Sequence, residues 1–248
     1  VKTNPLLALY ARNAGVQGRR FAVRAEQNAD EATVYLYDMI VADQFEAEWF
    51  GGIDPLTFAK TLAGISAKTI HLRINSPGGS VFAARAIEST IREHGARFVA
   101  HIDGYAASSA SFIMLAADEV EMAAGAMVMI HKGWTYTWGN ADELMSTAAL
   151  LEKVDGTMID TYVKATGQTR EQIAAWMAAE TWFTAPEAVD AGFADRIAGE
   201  DDGSANALAW DLSAFERAPH ASAPPAADAG KRDRQRQRLR ALLLTPNR

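Results

Sequence analysis

The sequence predicts an α/β fold of repeated βαβ units around a mainly parallel sheet, on three observations. Short β-branched runs alternate with helix-periodic stretches along residues 33–197, the pattern of parallel strands joined by helical crossovers. The chain has 248 residues and is 49% hydrophobic, enough for one sizeable core and too little for two large ones. It has no cysteine, which excludes a disulfide framework, cysteine-ligated zinc and thiol catalysis together and suits a reducing compartment.

The elements follow in order. Val1 to Asp30 is mixed and weakly periodic and reads as an N-terminal arm. Thr33 to Ile40 is rich in β-branched and aromatic residues and is expected as a strand. Asp54 and Pro55 supply an N-cap and a first-turn proline for a helix to about Leu62. Thr69 to Ile74 alternates apolar and polar residues, a strand that runs into the backbone-permissive turn Asn75-Ser76-Pro77-Gly78-Gly79-Ser80. Val81 to His94 is amphipathic and Phe98 to Ile102 is a further strand. Gly104 to Ser111 opens an apolar helix to about Ala117, and Glu119 to Met122 and Met127 to Ile130 are short strands. Ala141 to Lys164 is a long helix that Gly167 can terminate. Thr169 caps a helix to Ala178, Thr184 and Glu187 frame a capping box, and Ala194 to Ile197 reads as a last strand. Beyond Gly199 the texture changes to a polar linker, an Ala/Pro-rich stretch and a basic run from Lys231 to Arg240. The expected organisation is an arm at 1–30, a domain at 31–199, and a linker with a partly disordered tail at 200–248.

Charge and hydropathy narrow the partners. A formal net charge of −7 argues against nucleic-acid binding. No apolar run approaches the roughly 18 to 20 residues needed to span a bilayer, so a cytosolic protein without a membrane partner is expected.

Three features carry chemistry. Ser108 follows a strand and a small-residue turn where a helix begins, beside N–H groups that have no helical partner and can receive an oxyanion. Alone it reads first as a helix cap; Ser109 and Ser111 compete with it, and Ala106 and Ala110 stand where a Gly-x-Ser-x-Gly elbow has glycines. His131 closes the run Met127 to Ile130, at a strand end where open α/β sheets place reactive groups, and imidazole suits proton transfer from a serine. Pro77-Gly78-Gly79 lets the backbone approach a ligand, but lacks the Lys-Ser/Thr of a phosphate loop and the third glycine of a dinucleotide fingerprint.

Taken as an ordered set, Ile74 to Ser80, Gly104 to Ser109, Met129 to Lys132 and Thr184 to Val189 with Gly192 and Asp195 resemble the ClpP peptidase family, over about residues 34–197. The resemblance implies a crotonase-like ClpP fold in which Ala141 to Lys164 is a protruding handle helix. It implies Ser108 as nucleophile, His131 as general base, and the N–H groups of Gly79 and Ser109 as the oxyanion hole, with substrate pairing as an added strand beside Gly78 and Gly79. Where the family has the aspartate of its triad this chain has Glu180, and a glutamate can orient the imidazole equally well. The implied chemistry is peptide hydrolysis through an acyl-enzyme, with no metal or organic cofactor. The implied assembly is a homo-oligomer of stacked heptameric rings.

Ser76 to Phe82, Trp138 to Asn140 and Glu180 to Ala185 are similar to the ClpP-like head maturation proteases of phages and prophages, which implies capsid and scaffold proteins as substrates in a host cytoplasm. The alternatives are a housekeeping subunit serving an ATP-dependent unfoldase, a catalytically silent ring or scaffold subunit, and an acyl-CoA enzyme of the crotonase fold.

Overall fold

The computed structural model describes residues 4–16, 20–25, 30–199 and 210–219. Helix α1 (Pro5–Asn13) begins at Asn4, whose side chain accepts from the N–H groups of Leu6 and Leu7. Strands β1 (Arg20–Ala25) and β2 (Glu31–Tyr37) pair antiparallel. Asp43 caps α2 (Gln44–Phe50) and Asp54 caps α3 (Pro55–Ala63). Then come β3 (Thr69–Ser76), α4 (Val81–Glu93), β4 (Arg97–Ala107), α5 (Ala110–Met114), β5 (Glu119–Met122) and β6 (Met127–Ile130). The long α6 (Ala141–Thr166) starts in a capping box of Asn140 and Glu143 and ends at a left-handed Gly167. Helix α7 (Arg170–Ala178), strand β7 (Thr181–Thr184), helix α8 (Ala185–Ala191) and strand β8 (Arg196–Ile197) complete the order.

The sheet runs β1-β2-β3-β4-β5-β8, parallel from β2 onward. β4 serves two neighbours in succession: residues 99–102 pair with β5, and residues 105–107 pair with β6. β6 in turn pairs antiparallel with β7. The handover falls at Gly104, where a side chain would meet the Asn75 amide at 2.8 Å. The sheet thus splits at the end of β4, and the turns after β4 and β6 emerge side by side.

Alternation along β3 decides the layers. Ile70, Leu72 and Ile74 are buried against Phe58 of α3 and Ala84, Ile87 and Ile91 of α4, in a core that also takes Phe112, Met158 and Tyr162. The other face carries charge. His71 lies 2.9 Å from His101 and His101 lies 3.1 Å from Glu121. Arg196 bridges Glu121 and Glu119, and Arg97 holds Glu119 as well. Between them a buried Asp103 accepts from Tyr37 and Arg73, so its charge is compensated on two sides.

A second apolar cluster sits beyond the end of the sheet. Leu9 and Tyr10 of α1 pack there with Met39, Val41, Phe50, Ala107 and Met129, and residues 210–219 contribute Trp210, Leu212 and Phe215. The Asn13 amide donates to the Asp211 carbonyl and accepts from the Asp211 N–H, which ties the two chain segments together.

Several expectations are revised. The stretch read as a weakly periodic arm contains a helix and a strand. The Asn4-Pro5 start is the same cap-and-proline signal that marks Asp54-Pro55. The helix expected from Gly104 begins only at Ala110, because Gly104 to Ala107 extend β4 to pair with β6. α2 and β7 were not expected at all. Of the expected linker and tail at 200–248, only residues 210–219 are described. Among the described residues no helix is long and apolar enough to cross a membrane.

Candidate active site

Parallel pairing of β4 with β6 puts Ala107 beside Met129, and the two following turns carry Ser108 and His131. The Ser108 N–H donates to the Met129 carbonyl at 2.9 Å. Ser108 adopts φ +54°, a left-handed backbone that costs a non-glycine residue on the order of 1 kcal/mol or more and turns the side chain out of the sheet. Its Oγ lies 2.7 Å from His131 Nε2, within reach for proton transfer. Neither competing serine contacts His131. Among the described residues Ser109 Oγ is buried without a partner, and Ser111 Oγ contacts the Ser108 carbonyl at 2.6 Å and the Tyr162 hydroxyl at 2.6 Å. Ser111 and Tyr162 thereby fasten the serine turn to the base of α6, a positioning pair that spacing along the chain gave no sign of.

Donors for an oxyanion lie beside the serine. Gly79 forms a parallel bridge with Ile40, in which Ile40 donates to the Gly78 carbonyl and Ser80 donates to the Ile40 carbonyl. In that geometry the polar groups of Gly79 itself face away from Ile40, leaving one edge for an added strand. The approach is so close that a Cβ on Gly79 would stand 1.9 Å from the Ile40 oxygen, and φ is +150°. Gly78, at φ +84°, lies against Ala107 and Ser108 in the same way. The Ser109 N–H precedes the first turn of α5 and has no acceptor among the described residues. An apolar recess opens here, lined by Val81, Phe82, Leu150 and Val154 besides Ser108 and His131.

Glu180 lies just outside the antiparallel pair: Ile130 faces Thr181 as its last partners, so Glu180 and His131 are the next residues beyond that end of the ladder. Its backbone, like that of Ser108, is left-handed, at φ +49°. Yet its carboxylate does not reach the imidazole. It accepts the N–H groups of Glu216 at 3.0 Å and Arg217 at 2.6 Å, with the Trp182 indole at 3.5 Å. The structure therefore brings Ser108, His131, Gly79 and Ser109 together and leaves the carboxylate of Glu180 turned to residues 216 and 217.

The indole of Trp134 stands at His131 instead. Its Nε1 contacts His131 Nδ1 and lies 2.9 Å from Nε2. An indole only donates, so a bond to Nδ1 fixes the neutral ring's proton on Nε2, which then donates to Ser108 rather than accepting from it. A bond to Nε2 would occupy the lone pair that Ser108 needs. Either way the imidazole is not poised as a base. Phe215 packs edge-on against both His131 and Trp134, with ring centroids at 5.5 and 5.3 Å. Burial pushes the His131 pKa down to about 3, since the ring has lost water and gained no anion.

The Clp protease family model matches residues 31–201. The ATP-dependent Clp protease proteolytic subunit 1 of Chlamydia trachomatis is 38% identical over 129 residues, 50% of this chain and 67% of that protein. Subunit 1 from Leifsonia xyli is 33% identical over 134 residues, 53% of this chain and 68% of that protein. Among solved structures, a point mutant of ClpP1 from Listeria monocytogenes superposes with a TM-score of 0.57 at 28% identity, covering 69% of this chain and 94% of its own.

Proposed function

The chain belongs to the Clp protease family of serine peptidases, and we propose that it is a proteolytic subunit in which Ser108 is the nucleophile and His131 the general base. The observation that carries these roles is the 2.7 Å contact between Ser108 Oγ and His131 Nε2, set beside N–H groups of Gly79 and Ser109 that have no acceptor among the described residues. In the reaction Ser108 Oγ attacks a peptide carbonyl while His131 Nε2 takes its proton. The oxygen that becomes negative is received by the Gly79 and Ser109 N–H groups. His131 then returns the proton to the leaving amine, and water hydrolyses the acyl-enzyme. Glu180 acts in this cycle as the anion that holds the imidazole proton on Nδ1. Substrate lies along the free edge of Gly79, because main-chain pairing binds a peptide with little demand on its sequence.

Residues 31–199 form the peptidase domain in this reading and residues 200–248 a linker and tail. The subunit assembles into a homo-oligomeric ring through α6 and its neighbours. It receives protein substrates from an ATP-dependent unfoldase; the support is that its relatives are named proteolytic subunits of an ATP-dependent protease. A second reading is maturation of capsid and scaffold proteins in an assembling phage head. One observation fits it: the chain continues past the family-matched residues, and Phe215 of that continuation lines the same recess as Ser108.

A fluorophosphonate probe tests the chemistry: labelling is expected in the native protein and lost in Ser108→Ala. Labelling that persists in that variant, or that depends on Ser109 or Ser111, overturns the assignment. Turnover of a folded protein that rises on adding an unfoldase and ATP supports the first biological reading. ATP-independent cleavage confined to capsid or scaffold protein supports the second.

A further inference from the structure

We propose that residues 210–219 are an intramolecular strap that closes the Ser108–His131 site by drawing Glu180 away from His131. The inference rests on the serine-peptidase reading of that site and adds to it a resting state and the group that must move.

Four independent contacts hold the strap. Trp210 is 1% exposed and donates its indole N–H to Asn75, near the end of β3 and just before the turn that carries Gly79. Asp211 exchanges two hydrogen bonds with the Asn13 amide of α1. Ser213 Oγ receives Arg12 at 2.7 Å. Phe215, 5% exposed, wedges among His131, Trp134 and Trp182.

The fifth contact gives the strap its consequence. The backbone N–H groups of residues 216 and 217 take the carboxylate of Glu180, which lies with His131 just beyond the end of the β6–β7 ladder. With that anion engaged elsewhere, Trp134 fills the Nδ1 side of the imidazole. A triad needs an acceptor at Nδ1 and receives a donor. The closed form is thus inactive for two linked reasons: Trp134 leaves Nε2 either protonated or with its lone pair taken, and Phe215 stands beside the serine in the recess that substrate would enter.

Release of the strap reverses both. Residues 216 and 217 leave Glu180, Phe215 leaves the recess and no longer packs on Trp134, and once that indole moves off Nδ1 the carboxylate can swing in to accept from Nδ1–H. The chemistry of the competitor follows: an extended peptide that pairs with the free edge of Gly79 and presents an apolar side chain to the recess displaces the strap. The device suits an enzyme that must stay silent until substrate is delivered at high local concentration.

The test uses the full chain and a fluorophosphonate probe. Phe215→Ala removes the wedge, and Arg217→Pro removes the shorter N–H bond to Glu180; neither residue takes part in the chemistry. Each is expected to speed Ser108 labelling about tenfold or more, because truncating a buried ring penalises the closed form alone. A synthetic peptide of residues 210–219 added in trans should slow the Phe215→Ala variant again. Ser108-dependent labelling at the unaltered rate in both variants, with both still melting cooperatively, overturns the strap and leaves the peptidase reading in place. Absence of Ser108 labelling in every form overturns the reading itself, and the strap with it. Hydrogen exchange on the unsubstituted protein needs no variant: once the probe occupies Ser108, amides 211–218 should exchange faster, and unchanged exchange there counts against the strap.

Discussion

At the scale of single residues, Ser108 and Glu180 are the two non-glycine residues with positive φ among those described. Both had been singled out on sequence. Ser108 was legible because its setting is local: a strand end, a small-residue turn and the start of a helix. His131 was legible as the residue after an apolar run. The position of Glu180 was legible too, but not the partner of its carboxylate. That partner lies in residues 216 and 217, and no periodicity or motif connects segments so far apart. His131 gives a prediction with a definite sign. Its neighbours Ser108, Trp134 and Phe215 are uncharged, and burial holds its pKa at about 3 against about 6.5 in the unfolded chain. Between those values the unfolded chain binds the extra proton. The histidine therefore contributes stability above pH 6.5 that is lost as pH falls through 6.5 toward 3, by up to about 1.4 kcal/mol per pH unit. Urea unfolding at pH 7 and pH 5 is expected to show this loss in the native protein. His131→Gln should lack that increment and keep only the part due to other groups.

At the scale of elements, the strands with clear alternation, such as β3, and the helices with caps, such as α3 and α7, lay close to where their residues put them. β7 did not, because four residues between two helices have no periodicity of their own and become a strand only by pairing with β6. β4 was cut short in the reading because Gly104-Tyr105-Ala106-Ala107 looks like a turn, and its partner β6 is out of reach of local pattern. α6 presents a different case. Of its 26 residues only Met158 and Tyr162 are buried, and Leu144, Met145 and Leu150 stand exposed. Apolar side chains on a helix that leaves its own core are expected to be covered by another subunit. Met145→Asp combined with Leu150→Asp should leave the melting temperature of the subunit nearly unchanged. It should shift sedimentation from the proposed ring toward smaller species. Retention of the full assembly in the double variant would remove α6 from the interface.

At the scale of the whole molecule, two apolar clusters divide the work. The larger joins the sheet to α3, α4, α5 and α6. The smaller joins α1 and residues 210–219 to the end of the sheet. Length and composition predicted the first and gave no hint of the second, since it is assembled from segments that look unpatterned by themselves. Such a peripheral cluster has fewer contacts to lose and should open first. Native-state hydrogen exchange is expected to place the amides of α1 and of residues 211–218 in one unit, opening several kcal/mol below the global unfolding of β3 and β4. Exchange of both segments at the global free energy would mean that the cover is as firmly built as the core.

The contact between Trp134 and His131 has an optical consequence. An imidazole against an indole quenches its emission, and more strongly once protonated, while a carboxylate turning in and an aromatic ring swinging out both change the polarity the indole reports. With six tryptophans in the chain, four of which (Trp49, Trp134, Trp182 and Trp210) touch the same cluster, the molecule carries its own fluorescent indicator of whether the site is covered. Stopped-flow emission on mixing with a peptide could time the uncovering without any label attached.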